Sequence, residues 1–171
     1  DDKIWPNTWS VMQTRAAGQG IELVKGNYET FVPTAEYFGA LVQWPNAEGS
    51  IEDYDYFIDQ CHATGLKVVV VADLLALALL KPLNADIMCG TAQRFGLPMG
   101  FGGPTAGYMA TRDEYKRDMP GRIIGLSKDI HDHSAYRLAL QTREQHIKRE
   151  KATSNICTAE ALCAMMAGFY G

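Results

Sequence analysis

Lys67-Val-Val-Val-Val-Ala-Asp73 is the stretch that decides the fold. Four consecutive valines leave a strand no polar face, and such strands lie covered on both sides, as in parallel sheets. Upstream, Ile51, Tyr54, Phe57, Ile58 and Cys61 recur at spacings of three and four. That period predicts an amphipathic helix through His62, ended at Gly65, with Ser50-Ile-Glu-Asp53 as a capping-box-like start. Downstream, residues 74–80 predict a short apolar helix with Pro82 just beyond it, and residues 85–89 the next strand. Strand and helix alternate, which predicts an α/β domain on a mainly parallel sheet flanked by helices.

Further out, Asn7 or Thr8 can cap a helix that reaches Ala17 and stops at Gly18 and Gly20. Residues 21–24 read as a short strand, and residues 37–44 as another stopped by Pro45-Asn46. Toward the C-terminus the pattern predicts a strand over 107–111, a helical turn over 113–118 and weaker strands over 122–126 and 136–140. Asn155 or Ser154 can cap a last helix with Ile156, Ala159, Leu162, Cys163 and Met166 on one stripe. No repeat or low-complexity linker interrupts the chain, so one domain over residues 1–171 is expected. Apolar residues persist to Phe169-Tyr170-Gly171, and Trp5 and Trp9 sit near the start, so both ends read as cut from something larger.

With 47% apolar and 21% charged residues, the composition is that of a soluble globular domain. A net charge of −4 argues against a nucleic-acid or anionic-membrane partner. Cys61, Cys89, Cys157 and Cys163 form no CxxC pair, which predicts reduced thiols in a cytosol-like compartment. The longest apolar run, residues 68–80, is broken by Asp73 and too short to span a bilayer.

Four features could carry chemistry. Asp73 ends the valine strand, where ligands bind in open α/β sheets; it equally suits a helix N-cap. Gly96, Gly100, Gly102 and Gly103 make a loop able to turn backbone N–H groups toward a ligand, or simply to turn the chain. It matches neither GxGxxG after a first strand nor GxxxxGK[ST], so a nucleotide fingerprint is not supported. His131 and His133 form an HxH pair short of a zinc ligand set and better read as a surface loop; His62 and His146 read as surface residues. Lys151, beside Arg149 and Glu150, could serve as a Schiff-base lysine or be an ordinary solvated lysine.

The motifs become specific together. Val-Val-Ala-Asp-Leu-Leu-Ala-Leu (70–77), Gly-Thr-Ala-Gln-Arg-Phe-Gly-Leu-Pro-Met-Gly-Phe-Gly-Gly-Pro (90–104), Met-Pro-Gly-Arg-Ile-Ile-Gly (119–125) and the long run 136–159 closely resemble the P-protein family of the glycine cleavage system. The resemblance covers essentially the whole chain and implies a fragment of a pyridoxal-phosphate-dependent glycine decarboxylase, an oxidoreductase of glycine catabolism. It implies a fold-type I large domain, incomplete here, from the N-terminal of two related halves. The implied place is the bacterial cytoplasm, or the mitochondrial matrix of a eukaryote.

In the catalytic C-terminal half the family reads His-Lys-Thr-Phe-Cys-Ile-Pro-His-Gly-Gly-Gly-Gly-Pro, with the lysine holding the cofactor. Matching Phe95, Pro98, Gly100 and Gly102-Gly103-Pro104 puts Gln93 at that lysine's place. An amide nitrogen forms no imine, and the neighbouring Arg94 stays protonated, so no covalently held pyridoxal phosphate is expected here. Asp73 matches the family acid that pairs with the cofactor's pyridine nitrogen, which makes it a relic or a cap. The resemblance also implies that Gly102, Gly103 and Thr105 reach the cofactor phosphate of the catalytic half, with Thr153-Ser154-Asn155 a weaker candidate for the same interface. The implied partners are that half and, through the whole enzyme, the lipoyl H protein. A second copy of the fragment is a further candidate partner, and an independent pyridoxal-phosphate domain using Lys151 is the alternative.

Overall fold

The computed structural model describes residues 1–119, 122–140, 149–152 and 160–171. The residues group into two compact units, Asp1–Ala110 with Glu160–Gly171, and Thr111–Ala159.

The first unit holds α1 (Pro6–Ala17), β1 (Gly39–Trp44), α2 (Asp55–Ala63), β2 (Lys67–Ala72), α3 (Leu74–Leu79) and β3 (Ile87–Thr91), with α4 (Ala161–Tyr170) returning to it. The sheet runs β1-β2-β3-β4, where β4 is Gly107–Thr111. β1 pairs with β2 and β2 with β3 in parallel, with Val42 opposite Val70 and Val69 opposite Ile87. The mainly parallel α/β reading therefore holds. Along β2, Val68, Val70 and Ala72 are buried, while Val69 and Val71 on the opposite face are half-buried. The covered face packs Val42, Trp44, Val68 and Val70 against Phe57, Ile58 and Cys61 of α2. Burial of each such side chain contributes about 1.5–3 kcal/mol.

Asp86, 2% exposed, fixes the lower end of this core. Its Oδ2 accepts the Val68 N–H at 2.8 Å and faces His62 Nε2 at 2.8 Å. His62 is thus a half-buried partner of a buried acid and not a surface residue.

Several element ends differ from expectation. α1 starts at Pro6 with Trp5 before it, since proline lacks the N–H that a first helical turn leaves unused. Residues 21–24 form no strand: Gly20 takes a φ of +67° and the Ile21 N–H closes on Ala16 O, ending the helix in a turn. α2 begins at Asp55, after the predicted box. Glu52 is drawn away by Lys3, Tyr28 and Asn46, and the Asp55 N–H is taken by Asp53 Oδ1. On α4 the buried pair is Cys163 and Ala167, while Leu162 and Met166 are exposed. The expected cap at Asn155 or Ser154, with Ile156 and Ala159, lies outside the described residues.

The second unit contains a 3-10 turn at Asp113–Tyr115, the antiparallel hairpin of β5 (Ile123–Lys128) and β6 (Ser134–Leu140), and a 3-10 turn at Arg149–Lys151. Both weaker strands are present. Asp129 Oδ1 accepts the N–H groups of His131 and His133, so the HxH pair belongs to the hairpin turn.

Candidate functional site

The site forms where β2 and β3 end. Asp73 follows β2 and caps α3, its Oδ1 accepting the Leu75 N–H at 2.9 Å. The other carboxylate oxygen, Oδ2, lies 3.6 Å from Arg94 Nη1. After β3, Thr91 Oγ1 accepts the Gln93 N–H at 3.2 Å, and Gln93 O accepts the Leu97 N–H at 3.1 Å. The polar turn Ala92–Phe95 is therefore held from both sides and places Arg94 before Asp73. The described residues bring Asp73, Gln93 and Arg94 to one end of the sheet.

Tyr108 of β4 closes this end. Its hydroxyl donates to Ala72 O at 2.9 Å, across β3 at Gly90. A Cβ at position 90 would overlap Ala72 O and stand 2.9 Å from Tyr108 Cε1, so only glycine allows the crossing. Burial pushes the Tyr108 phenol up to about 12, with Cys89 and Asp73 adding smaller effects. Burial also raises the Cys89 thiol, which keeps it protonated and unreactive. Neither Tyr108 nor Gly90 stands out in the sequence, where the strand was expected to end at residue 89; β3 runs on to Thr91 and places Gly90 inside it.

The glycine loop has a fixed base and a bare tip. At the base, Ala92, Leu97 and Ala106 are buried with Cys163 and Ala167 of α4. The Phe95 and Tyr170 rings lie 5.6 Å apart, and Gly96, at φ +74°, sits beneath Tyr170. At the tip, Gly102 N–H donates to Met99 O at 3.0 Å and Gly103 N–H to Gly100 O at 3.4 Å. These two N–H groups, candidate phosphate donors by resemblance, are used within the loop. Thr105 is exposed, its hydroxyl 3.4 Å from Ala106 O.

The chemistry of these side chains does not suit a covalently held pyridoxal phosphate: the cation facing Asp73 is the Arg94 guanidinium, and the residue that the resemblance aligns with the cofactor lysine, Gln93, is an amide. Lys151 lies in the Arg149–Lys151 turn; its side chain and Thr153-Ser154-Asn155 are outside the described residues. Among the described residues no cluster of three or more His, Cys, Asp or Glu could hold a metal ion.

The family described as glycine cleavage system P-protein matches residues 1–171. This chain belongs to that family. It is 61% identical over 173 residues to the glycine dehydrogenase (decarboxylating) of Bacteroides thetaiotaomicron, covering 99% of this chain and 18% of that relative. The enzyme of the same name from a Nostoc species is 56% identical over 168 residues, covering 96% and 17%. A crystal structure of a glycine decarboxylase (P-protein) of the glycine cleavage system, in inhibitor-bound form, is 38% identical with a TM-score of 0.89. That match covers 98% of this chain and 40% of the other. The P-protein architecture is fold-type I, as the resemblance implies. The chain spans under a fifth of the length of these curated relatives. No helix among the described residues is long and apolar enough to cross a membrane.

Proposed function

We propose that this chain is a non-catalytic structural and interface portion of a longer glycine decarboxylase, within its N-terminal half. The whole enzyme would release CO₂ from glycine and pass the aminomethyl group to the lipoyl arm of the H protein. Pyridoxal phosphate, bound in the catalytic half, supplies the electron sink for that reaction. A cytoplasmic or mitochondrial-matrix setting goes with this reading.

One observation supports it: the Arg94 guanidinium rather than an amine faces Asp73, and by resemblance Gln93 falls at the place of the cofactor lysine. Guanidinium remains charged at any working pH and cannot act as the nucleophile a Schiff base needs. Asp73 then serves as a helix cap and ion-pair partner. The expected absence of a covalently held cofactor is part of the proposal.

The interface role falls on the loop. With their N–H groups used internally, Gly102 and Gly103 shape the turn, and Thr105 offers its hydroxyl to the phosphate in the catalytic half. Two variants of the full-length enzyme test these parts. Gln93→Ala should leave cofactor stoichiometry and glycine decarboxylation within about twofold; loss of the trapped cofactor would contradict the non-catalytic role. Thr105→Val should weaken pyridoxal phosphate binding to the apoenzyme about tenfold, the scale of one hydrogen bond to a charged group. Unchanged affinity would remove the phosphate role.

A further inference from the structure

We infer that the loop tip Met99-Gly100-Phe101 is an apolar anchor that seats in a hydrophobic recess of the catalytic half. The inference rests on the reading that this loop faces that half, and adds the chemistry of the contact.

Phe101 is 112% exposed and Met99 80% exposed, so among the described residues both side chains lie largely uncovered. Phe101 also takes a φ of +55°, a left-handed conformation that bulky L-residues rarely adopt. Its neighbours Gly100 and Gly102 take positive φ as well, and glycine at 101 would meet the same backbone demand without strain. What phenylalanine adds is a ring held out at the apex, and a strained, exposed residue of this kind points to a use outside the chain's own packing.

The tip is prepared for docking. Its turns are closed by the Gly102 N–H to Met99 O and Gly103 N–H to Gly100 O bonds. Its base is fixed by Leu97 and by the Cys163 Sγ reaching Pro104 O at 3.7 Å. A preformed loop gives up little freedom on binding. From Leu97 to Ala110 the chain has no charged residue, so the recess it suits is lined by apolar and aromatic side chains, not by phosphate-binding cations. The catalytic half is the occupant because Thr105, four residues on, is assigned to it, and because over four-fifths of each relative's length lies outside this segment. Aromatic anchors set in such recesses dominate interface energetics.

The test uses the full-length enzyme with p-benzoylphenylalanine at position 101 and, separately, at position 105. Irradiation and peptide mapping should join position 101 to peptides of the catalytic half. If position 105 joins that half and position 101 joins a second copy, another protein or nothing, the anchor is wrong and the loop assignment stands. If neither joins it, both fail. Phe101→Gly gives an independent sign. A role confined to the loop predicts an unchanged or higher melting temperature, since strain is removed. The anchor predicts a lower melting temperature and severalfold weaker cofactor binding, with Phe101→Leu in between; an unchanged or raised melting temperature overturns it.

Discussion

At Gly90 the space for one methyl group decides whether Tyr108 can reach the carbonyl of Ala72. Gly90→Ala forces the phenol or the strand end to move, at about 1–3 kcal/mol for overpacking, seen as a lower melting temperature. Tyr108 also makes stability depend on alkaline pH. Burial raises its folded pKa from the ordinary 10.0 to about 12. Its contribution is thus whole below about pH 10 and lost as pH rises through about 12. Melting curves across that window should show an alkaline loss that Tyr108→Phe diminishes. Asp73 can be dissected in the same way. Asn keeps the cap on the Leu75 N–H but not the charge facing Arg94, whereas Ala removes both. Asp73→Ala should cost about 1 kcal/mol and Asp73→Asn clearly less, because caps outweigh exposed ion pairs. Equal losses would assign the acid's role to Arg94.

Among the elements, what could be read from sequence was what local pattern controls. The valines of β2 and the three-and-four spacing of α2 are local; β2 is where the pattern puts it, and so is α2 from Asp55 on. The start of α2 is not local: Lys3 and Tyr28, far away in sequence, compete for Glu52. Nor is a strand over residues 21–24, since a strand exists only beside a neighbour. The site divides in the same manner. The place given to Gln93 rests on resemblance alone, whereas the Asp73–Arg94 pair and the Tyr108 crossing join separate strands and needed the fold. The glycine loop belongs with α4, and Gly96 is where they meet. Gly96→Ala combines a φ of +74° with a Cβ 2.8 Å from Tyr170 Cδ2. It should destabilise by more than about 1 kcal/mol, and amide exchange should quicken at the loop base as Leu97 loosens.

For the whole molecule, the account makes this segment a support for chemistry done elsewhere. Asp73, by resemblance the counterpart of a ring-nitrogen partner, faces Arg94 of the same chain. What it presents outward is a loop: an exposed hydroxyl at Thr105 and an apolar apex at Phe101. The central claim is the absence of a cofactor lysine among these 171 residues. Borohydride reduction of the full-length holoenzyme, followed by peptide mapping of the phosphopyridoxyl label, tests it most directly. The account predicts a label on one lysine outside this segment. A stoichiometric label inside it, on Lys151 above all, would contradict the account.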